Sequence, residues 1–355
     1  MNFFNTDKHS AFEAKSELQK LAFSPYAFQA AILLRKGGLL KEILQAGDEG
    51  IGEKDLCLKS SFSEYGTRVL VEAGLGIGLI REEADLYILT KMGFIFLHDE
   101  MTGVNFDFMQ DVCFKGSFNL EESLQNGSPE GLKQFGEWST VYQGLAHLPT
   151  GVQKSWFAFD HFYSDTAFPE ALEIVFSDPP AKLLDIGGNT GKWAMAACSH
   201  SDTLEVGIFD LEGQTSLAAR VIEKSRFAAR IKFHQGNILD KEMQLPQGYG
   251  AIWMSQFLDC FSEEEIAFIL LKCRAALKSG GSIFVLEPFW DLQQYEASAY
   301  SLIMTSLYFT TMANGNSKMY RSNHFRLLIE KAGLEIVEQK DGLGIGHSLL
   351  KCRAS

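Results

Sequence analysis

The stretch Ala181-Lys-Leu-Leu-Asp-Ile-Gly-Gly-Asn-Thr-Gly-Lys-Trp193 decides the fold of this chain of 355 residues. Residues 182–186 are a short apolar run that contains a carboxylate, and residues 187–191 are rich in residue types that tolerate a positive φ. Helical composition begins at Lys192, so the stretch predicts a strand, a tight turn and a helix. In an α/β sheet such a turn lies at the carboxyl end of a strand, where the helix N-terminus offers free N–H groups to a ligand.

The spacing of the glycines excludes two common nucleotide-binding motifs, the phosphate-binding loop and the full Gly-x-Gly-x-x-Gly of dinucleotide folds. The pattern is Asp-x-Gly-x-Asn-x-Gly, and it resembles the first motif of S-adenosylmethionine-dependent methyltransferases. Asn189 replaces the middle glycine, and Asn is the non-glycine residue that best tolerates a left-handed backbone. The resemblance implies that Asp185, Gly187, Gly188 and Gly191 hold the methionine end of the cofactor. An ordinary glycine-rich turn is the alternative.

The end of the next strand agrees with this resemblance. Residues 204–209 are predicted as a strand, and Asp210 follows them about 20 residues beyond the loop, where an acidic side chain can accept hydrogen bonds from ribose hydroxyls. Leu211, next to it, is included in the predicted cofactor site. The alternative role for Asp210 is to cap the helix that begins near Glu212.

A third predicted strand, residues 231–234, is followed by Gln-Gly-Asn-Ile-Leu. This segment resembles the Gly-Asp-x-Phe segment that flanks the adenine in the same family, with Asn237 in place of Asp. Either side chain can accept a hydrogen bond from the adenine amine, so Asn237 and Ile238 are the expected adenine contacts. Ser255, after a fourth predicted strand at residues 249–254, completes the predicted site. The cofactor that these residues imply is S-adenosyl-L-methionine.

Composition and charge limit the possible partners. The chain is 46% hydrophobic, which suffices for two domains with cores of their own. A net charge of −13 disfavours nucleic acid and anionic membranes as partners. The six cysteines are scattered, without a Cys-x-x-Cys pair or clustered histidines, so we expect reduced thiols, a cytoplasmic location and no metal site. The polar N-terminus predicts no signal peptide, and the apolar residues 299–312 are too few to span a bilayer.

The N-terminal third has the order of elements of a winged helix. The predicted elements are helices at residues 11–22, 25–44, 53–59 and 64–73 and strands at 79–81 and 86–89. The second helix has a broad apolar face, which would pack either in the domain core or against a second subunit. Between residues 51 and 90 the charge is 4 − 7 = −3, and the wing tip Glu82-Glu83-Ala84-Asp85 is acidic. A phosphate contact needs Lys or Arg there, so DNA binding is disfavoured.

A winged helix, a helical connector and the glycine-rich motif follow one another as in the small-molecule O-methyltransferases of the plant caffeic-acid, isoflavone and hydroxyindole type. The chain resembles this family over nearly its whole length. The resemblance implies a winged-helix dimerisation domain at residues 1–110, a connector at 111–170 and a methyltransferase domain at 171–355. It also implies a homodimer and an aromatic substrate. The expected fold class is α/β, a C-terminal Rossmann-like class I methyltransferase fold with an N-terminal all-helical winged-helix domain.

The catalytic residues of the family are only partly present. The family's histidine base falls on Asp259, one family glutamate corresponds to Glu287, and the other would fall near Tyr320 and is absent. A histidine pKa near 6.5 suits removal of a hydroxyl proton, whereas an aspartate near 3.9 suits it only if burial raises the pKa. His161, which follows Asp160 in the connector, is the alternative base. A substrate that ionises readily and needs only proximity is a further interpretation.

Three functions therefore remain open from the sequence. The first is transfer of a methyl group from S-adenosylmethionine to a hydroxyl of a small, aromatic metabolite. The second is a family member that binds the cofactor without methyl transfer, either as a tailoring hydroxylase or decarboxylase or as a sensor. The third is a DNA-binding regulator.

The last part of the chain completes the predicted sheet. We expect an apolar helix at residues 299–312 that covers the substrate or packs on the sheet. A helix capped by Asn323 should run through Ala332, and Ser262 with Glu265 should form a capping box. Strands at residues 334–339 and 347–352 should then form an antiparallel edge.

Overall fold

The computed structural model describes residues 3–354, which form two compact units. One unit spans Phe4–Gln110, and the other runs from Asp111 to the end of the described chain.

The N-terminal unit is mostly helical. Its helices are α1 (Ala11–Lys36), α2 (Leu39–Ala46), α3 (Glu53–Lys59), α4 (Glu64–Gly76), α5 (Lys91–His98) and α6 (Glu100–Phe108). Its strands are β1 (Ile51–Gly52), β2 (Ile80–Glu83) and β3 (Leu86–Leu89), which pair antiparallel in the order β1-β3-β2. The hairpin predicted for the wing is present as β2 and β3. The expectation of an all-helical domain was therefore too strict.

Helix α1 is continuous where the sequence predicts a break before Pro25. A proline has no N–H for the carbonyl four residues earlier, which is that of Leu21. The Ser24 hydroxyl donates a hydrogen bond to this carbonyl at 2.8 Å, so the acceptor is satisfied and the helix continues. The chain turns instead at Gly38, whose φ is 81°. The helix predicted at residues 25–44 is therefore wrong, because its residues belong to two helices.

Most of the apolar residues predicted on this segment pack inside their own unit. Ile32, Leu39, Leu40 and Ile43 are at most 3% exposed, whereas Leu33 is 43% exposed. Of the two interpretations of this face, core packing is the one that the structure supports for these four residues.

The C-terminal unit begins with short helices and continues into alternating strands and helices. The helices are α7 (Leu120–Asn126), α8 (Val141–Gly144), α9 (Thr150–Asp165), α10 (Phe168–Val175), α11 (Lys192–His200), α12 (Glu212–Ile222), α13 (Glu263–Ala276), α14 (Glu296–Tyr308) and α15 (Ser322–Lys331). The strands are β4 (Lys182–Ile186), β5 (Glu205–Asp210), β6 (Ile231–Gln235), β7 (Tyr249–Ser255), β8 (Leu277–Glu287), β9 (Leu334–Leu343) and β10 (His347–Ala354).

These strands form one seven-stranded sheet in the order β6-β5-β4-β7-β8-β10-β9. Strands β4 to β8 are parallel, and β9 and β10 make the predicted antiparallel edge. One hydrophobic core lies on each face of the sheet, because its strands are apolar on both sides. The carboxyl ends of five adjacent parallel strands therefore meet at one edge, and the site residues predicted from the strand ends lie there.

Helix α15 does not begin as predicted. It starts at Ser322, so Asn323 lies inside the first turn and is not its cap, which corrects the prediction. The cap comes from Asp291 in a distant turn: its Oδ1 accepts from the Ser322 N–H at 2.8 Å, and its Oδ2 accepts from the Ser322 hydroxyl at 2.7 Å. The predicted capping box of Ser262 and Glu265 on α13 is present.

Residues 3–354 contain neither a membrane-spanning helix nor a group of side chains placed to bind a metal. No helix in this range is both long and apolar enough to cross a membrane. Within the same range, no group of three or more His, Cys, Asp or Glu side chains is placed to hold a metal ion.

The Asp291→Ala variant should lower the free energy of unfolding of the C-terminal unit by about 1 kcal/mol, because the buried Ser322 loses both of its acceptors. Urea unfolding followed by tryptophan fluorescence measures this, since all five tryptophans lie beyond residue 110. Asp291→Asn is the control, because its amide oxygen can still accept from the Ser322 N–H. Equal stability of the alanine variant and the wild type would show that the helix is capped in another way.

Candidate active site

The glycine-rich loop between β4 and α11 is held in left-handed conformations. The values of φ are 71° at Gly187, 48° at Asn189 and 79° at Gly191. The sequence interpretation that Asn189 replaces a glycine by adopting such a conformation agrees with this geometry. Gly191 is also the residue before the first turn of α11, so the loop delivers the free N–H groups of that helix to the edge of the sheet.

Position 188 requires a glycine for a different reason: the neighbouring atoms leave no room for a side chain. A Cβ atom on Gly188 would lie 2.8 Å from Asp185 Oδ2 and 2.8 Å from Ile208 Cγ2. The loop therefore packs directly on the Asp185 carboxyl. Asp185 is 2% exposed, and burial together with the nearby Asp210 raises its pKa well above the usual value.

Asp210, at the end of β5, supports the loop. Its Oδ2 accepts from the Asn189 N–H at 2.9 Å, and its Oδ1 accepts from the Leu211 N–H at 2.7 Å. Burial raises the pKa of Asp210 to about 6. The residue that precedes α12 is Leu211, and no side chain caps that helix, so Asp210 is not the cap that the alternative interpretation required.

Of the remaining predicted cofactor residues, Asn237 and Ile238 follow β6, and Ser255 is the last residue of β7. Asn237 is exposed, and its Oδ1 accepts from the Leu239 N–H at 3.0 Å. Ile238 is 4% exposed and packs in the core on one face of the sheet. The Ser255 hydroxyl is buried and has no hydrogen-bond partner among the described residues.

Two of the predicted catalytic residues are buried side by side. Glu287, at the end of β8, is 1% exposed, and its Oε1 accepts from the N–H groups of Phe257 at 3.1 Å and Leu258 at 2.8 Å. These bonds fix the turn that carries Asp259, which is 4% exposed. Burial raises the pKa of Asp259 to about 7, and burial together with Asp259 raises the pKa of Glu287 well above its usual value.

His161, the alternative base, lies beside the glycine-rich loop. Its Nε2 is 3.2 Å from the Thr190 hydroxyl, and its ring stacks on Phe157. Burial and the nearby Lys192 lower the pKa of His161 to about 4. The imidazole is therefore neutral near pH 7, and it is a weaker proton acceptor there than a carboxylate with a pKa of about 7.

A hydrogen-bonded chain that sequence reasoning missed joins three parts of the unit. His347 on β10 donates from Nε2 to Gln256 Oε1 at 2.7 Å, and Gln256 Nε2 donates to Asp160 Oδ1 at 3.5 Å. Asn189 Nδ2 donates to the other oxygen of Asp160 at 2.9 Å. Gln256 has a φ of 45°, which is unusual for a residue other than glycine. In the sequence, only the position of Asp160 next to His161 could have indicated this series of hydrogen bonds.

A buried pair of aromatic side chains joins the connector to α14. Trp156 Nε1 donates to the Tyr308 hydroxyl at 2.7 Å, and both side chains are at most 8% exposed. Tyr308 lies in the apolar segment where we expected a substrate-covering helix. That segment forms α14 and continues as a π-helical turn, Phe309–Ala313.

These features define the class of protein. A parallel sheet with an antiparallel edge, a left-handed glycine-rich loop after its central strand and an acidic residue after the next strand are typical of Rossmann-like methyltransferases that bind a nucleoside cofactor.

Comparison with known families leads to the same class of protein and identifies the family within that class. Residues 167–335 match the O-methyltransferase domain, and residues 16–87 match a Dimerisation2-like domain. The chain belongs to the family of S-adenosylmethionine-dependent O-methyltransferases with an N-terminal dimerisation domain. The family suspected from the sequence is thereby confirmed.

Individual relatives are distant. The chain is 24% identical over 228 residues to the L-tyrosine C(3)-methyltransferase of Streptomyces lavendulae, and this alignment covers 64% of the chain and 61% of that relative. The O-methyltransferase of neocarzinostatin biosynthesis, solved with S-adenosylmethionine and 2-hydroxy-5-methyl naphthoic acid, has a TM-score of 0.71, with 19% identity over 98% of this chain and all of that one. Human N-acetylserotonin methyltransferase, solved with S-adenosylmethionine, has a TM-score of 0.68 and 16% identity, with both chains fully covered. These two structural similarities establish the fold.

Proposed function

We propose that this protein is an S-adenosylmethionine-dependent O-methyltransferase that acts on a hydroxyl group of a small aromatic metabolite. The observation that carries the proposal is the burial of Asp259, which gives a carboxyl at the position of the family's histidine a pKa of about 7. Asp259 can then act as the base in place of a histidine, because burial brings its pKa close to neutral pH.

The unpaired polar atoms at the edge of the sheet fit the cofactor. Asp185 Oδ2 and the Ser255 hydroxyl are buried, and neither has a hydrogen-bond partner among the described residues. A buried acceptor without a partner is costly, so a ligand that donates to Asp185 would relieve that cost. An ammonium group, such as that of the methionine part of S-adenosylmethionine, is such a donor. The Asp210 carboxylate, with one accepted bond on each oxygen, keeps lone pairs for ribose hydroxyls.

S-adenosylmethionine, when bound, supplies an activated methyl group, so the protein has to align the acceptor and remove its proton. Asp259 accepts the hydroxyl proton in its ionised form. Glu287 holds the Asp259 turn through the N–H groups of Phe257 and Leu258. Glu287 is thus a positioning residue in this proposal.

Methyl transfer to carbon is the second candidate, because one relative is named an L-tyrosine C(3)-methyltransferase. Removal of a phenolic proton activates the ring carbon next to the oxygen as well as the oxygen itself, so Asp259 could serve either reaction. Nuclear magnetic resonance of the product distinguishes them: an O-methyl signal supports our proposal, and a ring-bound methyl contradicts it. A protein that binds the cofactor but forms no methylated phenol would be a sensor.

We also propose a homodimer formed through the first half of α1. Residues 11–26 of this helix are exposed almost throughout, although they include large apolar side chains. The exposed ones are Phe12, Leu18, Leu21, Phe23 and Tyr26, at 60–83% exposure. An apolar helix surface of this kind is typical of a protein interface, and the match to a Dimerisation2-like domain covers most of it.

Binding of S-adenosylhomocysteine, measured by calorimetry, tests the cofactor site. Gly188→Ala should weaken this binding at least about tenfold, because the new Cβ displaces the Asp185 carboxyl from its position under the loop. Gly151→Ala is the matched control, since a Cβ there meets nothing within 4 Å and should leave the affinity unchanged. Absence of binding by the wild type would refute the cofactor site.

The pH dependence of kcat/KM tests Asp259 as the base. Only the ionised carboxylate accepts a proton, so the rate should rise with pH and level off above about 7. Asp259→Asn should reduce the rate by about 100-fold or more and remove this inflection. His161→Gln is the comparison: the inflection near 7 should persist in it. If His161→Gln removes the inflection and Asp259→Asn keeps it, the base is His161.

Light scattering after size-exclusion chromatography tests the dimer. The wild type should have twice the 39.6 kDa mass of the chain. The double variant Phe12→Gln/Tyr26→Gln should shift toward the monomer, because it replaces two of the most exposed apolar side chains of α1. Tyr65→Gln, at a 76% exposed tyrosine of α4, should remain dimeric. A monomeric wild type would refute the proposal.

A further inference from the structure

Asn189 adds a side chain to the glycine-rich loop at a position where the family motif has a glycine. Its φ of 48° is one that glycine adopts freely but that is strained for most other residues, so it persists only where neighbouring groups hold it. Two acceptors do so. Asp210 Oδ2 accepts from the Asn189 N–H at 2.9 Å, and Asp160 Oδ2 accepts from Asn189 Nδ2 at 2.9 Å. Both the backbone and the side chain of Asn189 are therefore fixed.

The contact with Asp160 determines which way the Asn189 amide faces. An ionised carboxylate only accepts hydrogen bonds, so the amide nitrogen and not the amide oxygen has to lie against it. The other oxygen of Asp160 is 3.5 Å from a second donor, Gln256 Nε2. Gln256 is itself oriented by His347, whose Nε2 lies 2.7 Å from Gln256 Oε1. Asp160 thus receives an N–H group on each oxygen, and the Asn189 amide oxygen is left for a different donor.

That amide oxygen receives no hydrogen bond from the protein. Asn189 Oδ1 is buried, and no donor among residues 3–354 bonds to it. Most buried polar side-chain atoms have a partner, so an unpaired acceptor in a binding loop indicates a place where a ligand donates. Asp185 Oδ2, which lies against Gly188, is a second buried acceptor without a partner in the same part of the chain. The two acceptors together suit a ligand with several N–H or O–H groups.

The chemistry of the cofactor fits this requirement. S-adenosylmethionine has an ammonium on its methionine part, two hydroxyls on its ribose and an amine on its adenine, all of which donate hydrogen bonds. Its sulfonium and the methyl group on it are not donors of this kind. An amide oxygen therefore recognises the cofactor away from the group that is transferred, and it contributes to affinity without taking part in the reaction.

Resting on the proposed function, we infer that Asn189 is a cofactor-binding residue, whose amide oxygen accepts a hydrogen bond from an N–H or O–H group of S-adenosylmethionine, and that Asp160 is a positioning residue that orients this amide. A glycine at position 189 could not make the contact, because it has no side chain. The departure from the family motif then adds a hydrogen bond to the cofactor site, and α9 affects cofactor affinity through Asp160.

Calorimetric titration of S-adenosylhomocysteine into the full-length protein tests the Asn189 contact. The titration is made at pH 8, because burial and the charge of Asp259 raise the pKa of Asp160 to about 7 and the carboxylate form is needed. Asn189→Gly should weaken binding about fivefold, the effect of one lost hydrogen bond. Glycine adopts the same φ and keeps the N–H for Asp210, so only the amide is lost. An unchanged affinity would overturn the inference.

A double-mutant cycle tests the role of Asp160. Asp160→Ala should also weaken binding about fivefold, because the Asn189 amide is then free to turn. The double variant Asp160→Ala/Asn189→Gly should bind no more than about twofold more weakly than Asn189→Gly, since Asp160 acts through the Asn189 side chain. Two factors that multiply in the double variant would show that Asp160 acts independently, and they would contradict its positioning role.

A conservative variant separates hydrogen bonding from charge at position 160. Asp160→Asn keeps an oxygen that can accept from Asn189 Nδ2, so the affinity should stay within about twofold of the wild type. A loss as large as that of Asn189→Gly would mean that the charge of Asp160 matters and not its hydrogen bond. Asp202→Ala is the control for the loss of one negative charge. Asp202 is exposed after α11, and its removal should leave the affinity unchanged.

A second ligand locates the donor on the cofactor. 5′-Methylthioadenosine has the ribose and adenine of S-adenosylhomocysteine but lacks its amino-acid part. If Asn189→Gly weakens the binding of S-adenosylhomocysteine alone, the donor is the ammonium. If it weakens the binding of both ligands, the donor belongs to the nucleoside. Either result supports the inference.

The inference and the proposed function can fail separately. If the wild type and Asn189→Gly bind S-adenosylhomocysteine equally well, the role of Asn189 is wrong and the methyltransferase proposal stands. If the wild type does not bind S-adenosylhomocysteine, the proposed function fails first, and the inference that depends on it fails with it.

Discussion

The left-handed turn at Asn189 is the constraint on which the rest of the candidate site depends. Its backbone N–H is held by Asp210 at the end of β5, and its side-chain amide is held by Asp160 on α9. A glycine at this position would adopt the same backbone conformation but could not reach Asp160. The asparagine that departs from the family motif therefore links the glycine-rich loop to the connector. A change in the position of the loop can thus alter the position of Asp160, and the reverse.

Burial is the second organising feature, because it changes the pKa of a carboxyl group and therefore its ability to accept a proton. A solvated aspartate is ionised at neutral pH and is a poor base for a phenol. In this site, loss of solvent brings Asp259 to a pKa of about 7 and Asp160 to about 7 as well. If Asp259 takes the place of the family's histidine, as we propose, the two side chains have a similar proton affinity, but the basic form of the aspartate is an anion and that of a histidine is neutral.

Much of the fold could be predicted from the sequence because its signals are local. The loop from Asp185 to Gly191, the strands with apolar runs and the winged-helix order all depend on patterns within a few residues. The errors also have physical causes. The continuation of α1 through Pro25 depends on one hydroxyl, that of Ser24, and the cap of α15 comes from Asp291, which lies 31 residues before Ser322.

The site was predictable where a strand end places a residue and unpredictable where folding brings distant segments together. Asp185, Asp210 and Glu287 lie at strand ends, so their proximity follows from the parallel sheet. Gln256 and His347 gave no sequence signal, because their roles arise from a hydrogen bond between residues 91 positions apart. The pKa of Asp259 could not be read from the sequence either, since it depends on burial by several elements.

The position of β10 has a consequence for the biosynthesis of this protein. In the sheet β10 lies between β8 and β9, although it follows both in the chain. Until β10 has left the ribosome, β9 has no neighbour to pair with, and β8 presents an open edge of unpaired peptide groups, which is the kind of edge that recruits other chains. The same strand delivers His347 to Gln256. A nascent chain that has completed every helix of this unit is therefore still aggregation-prone and lacks one support of its site, and a single late strand removes both deficiencies at once.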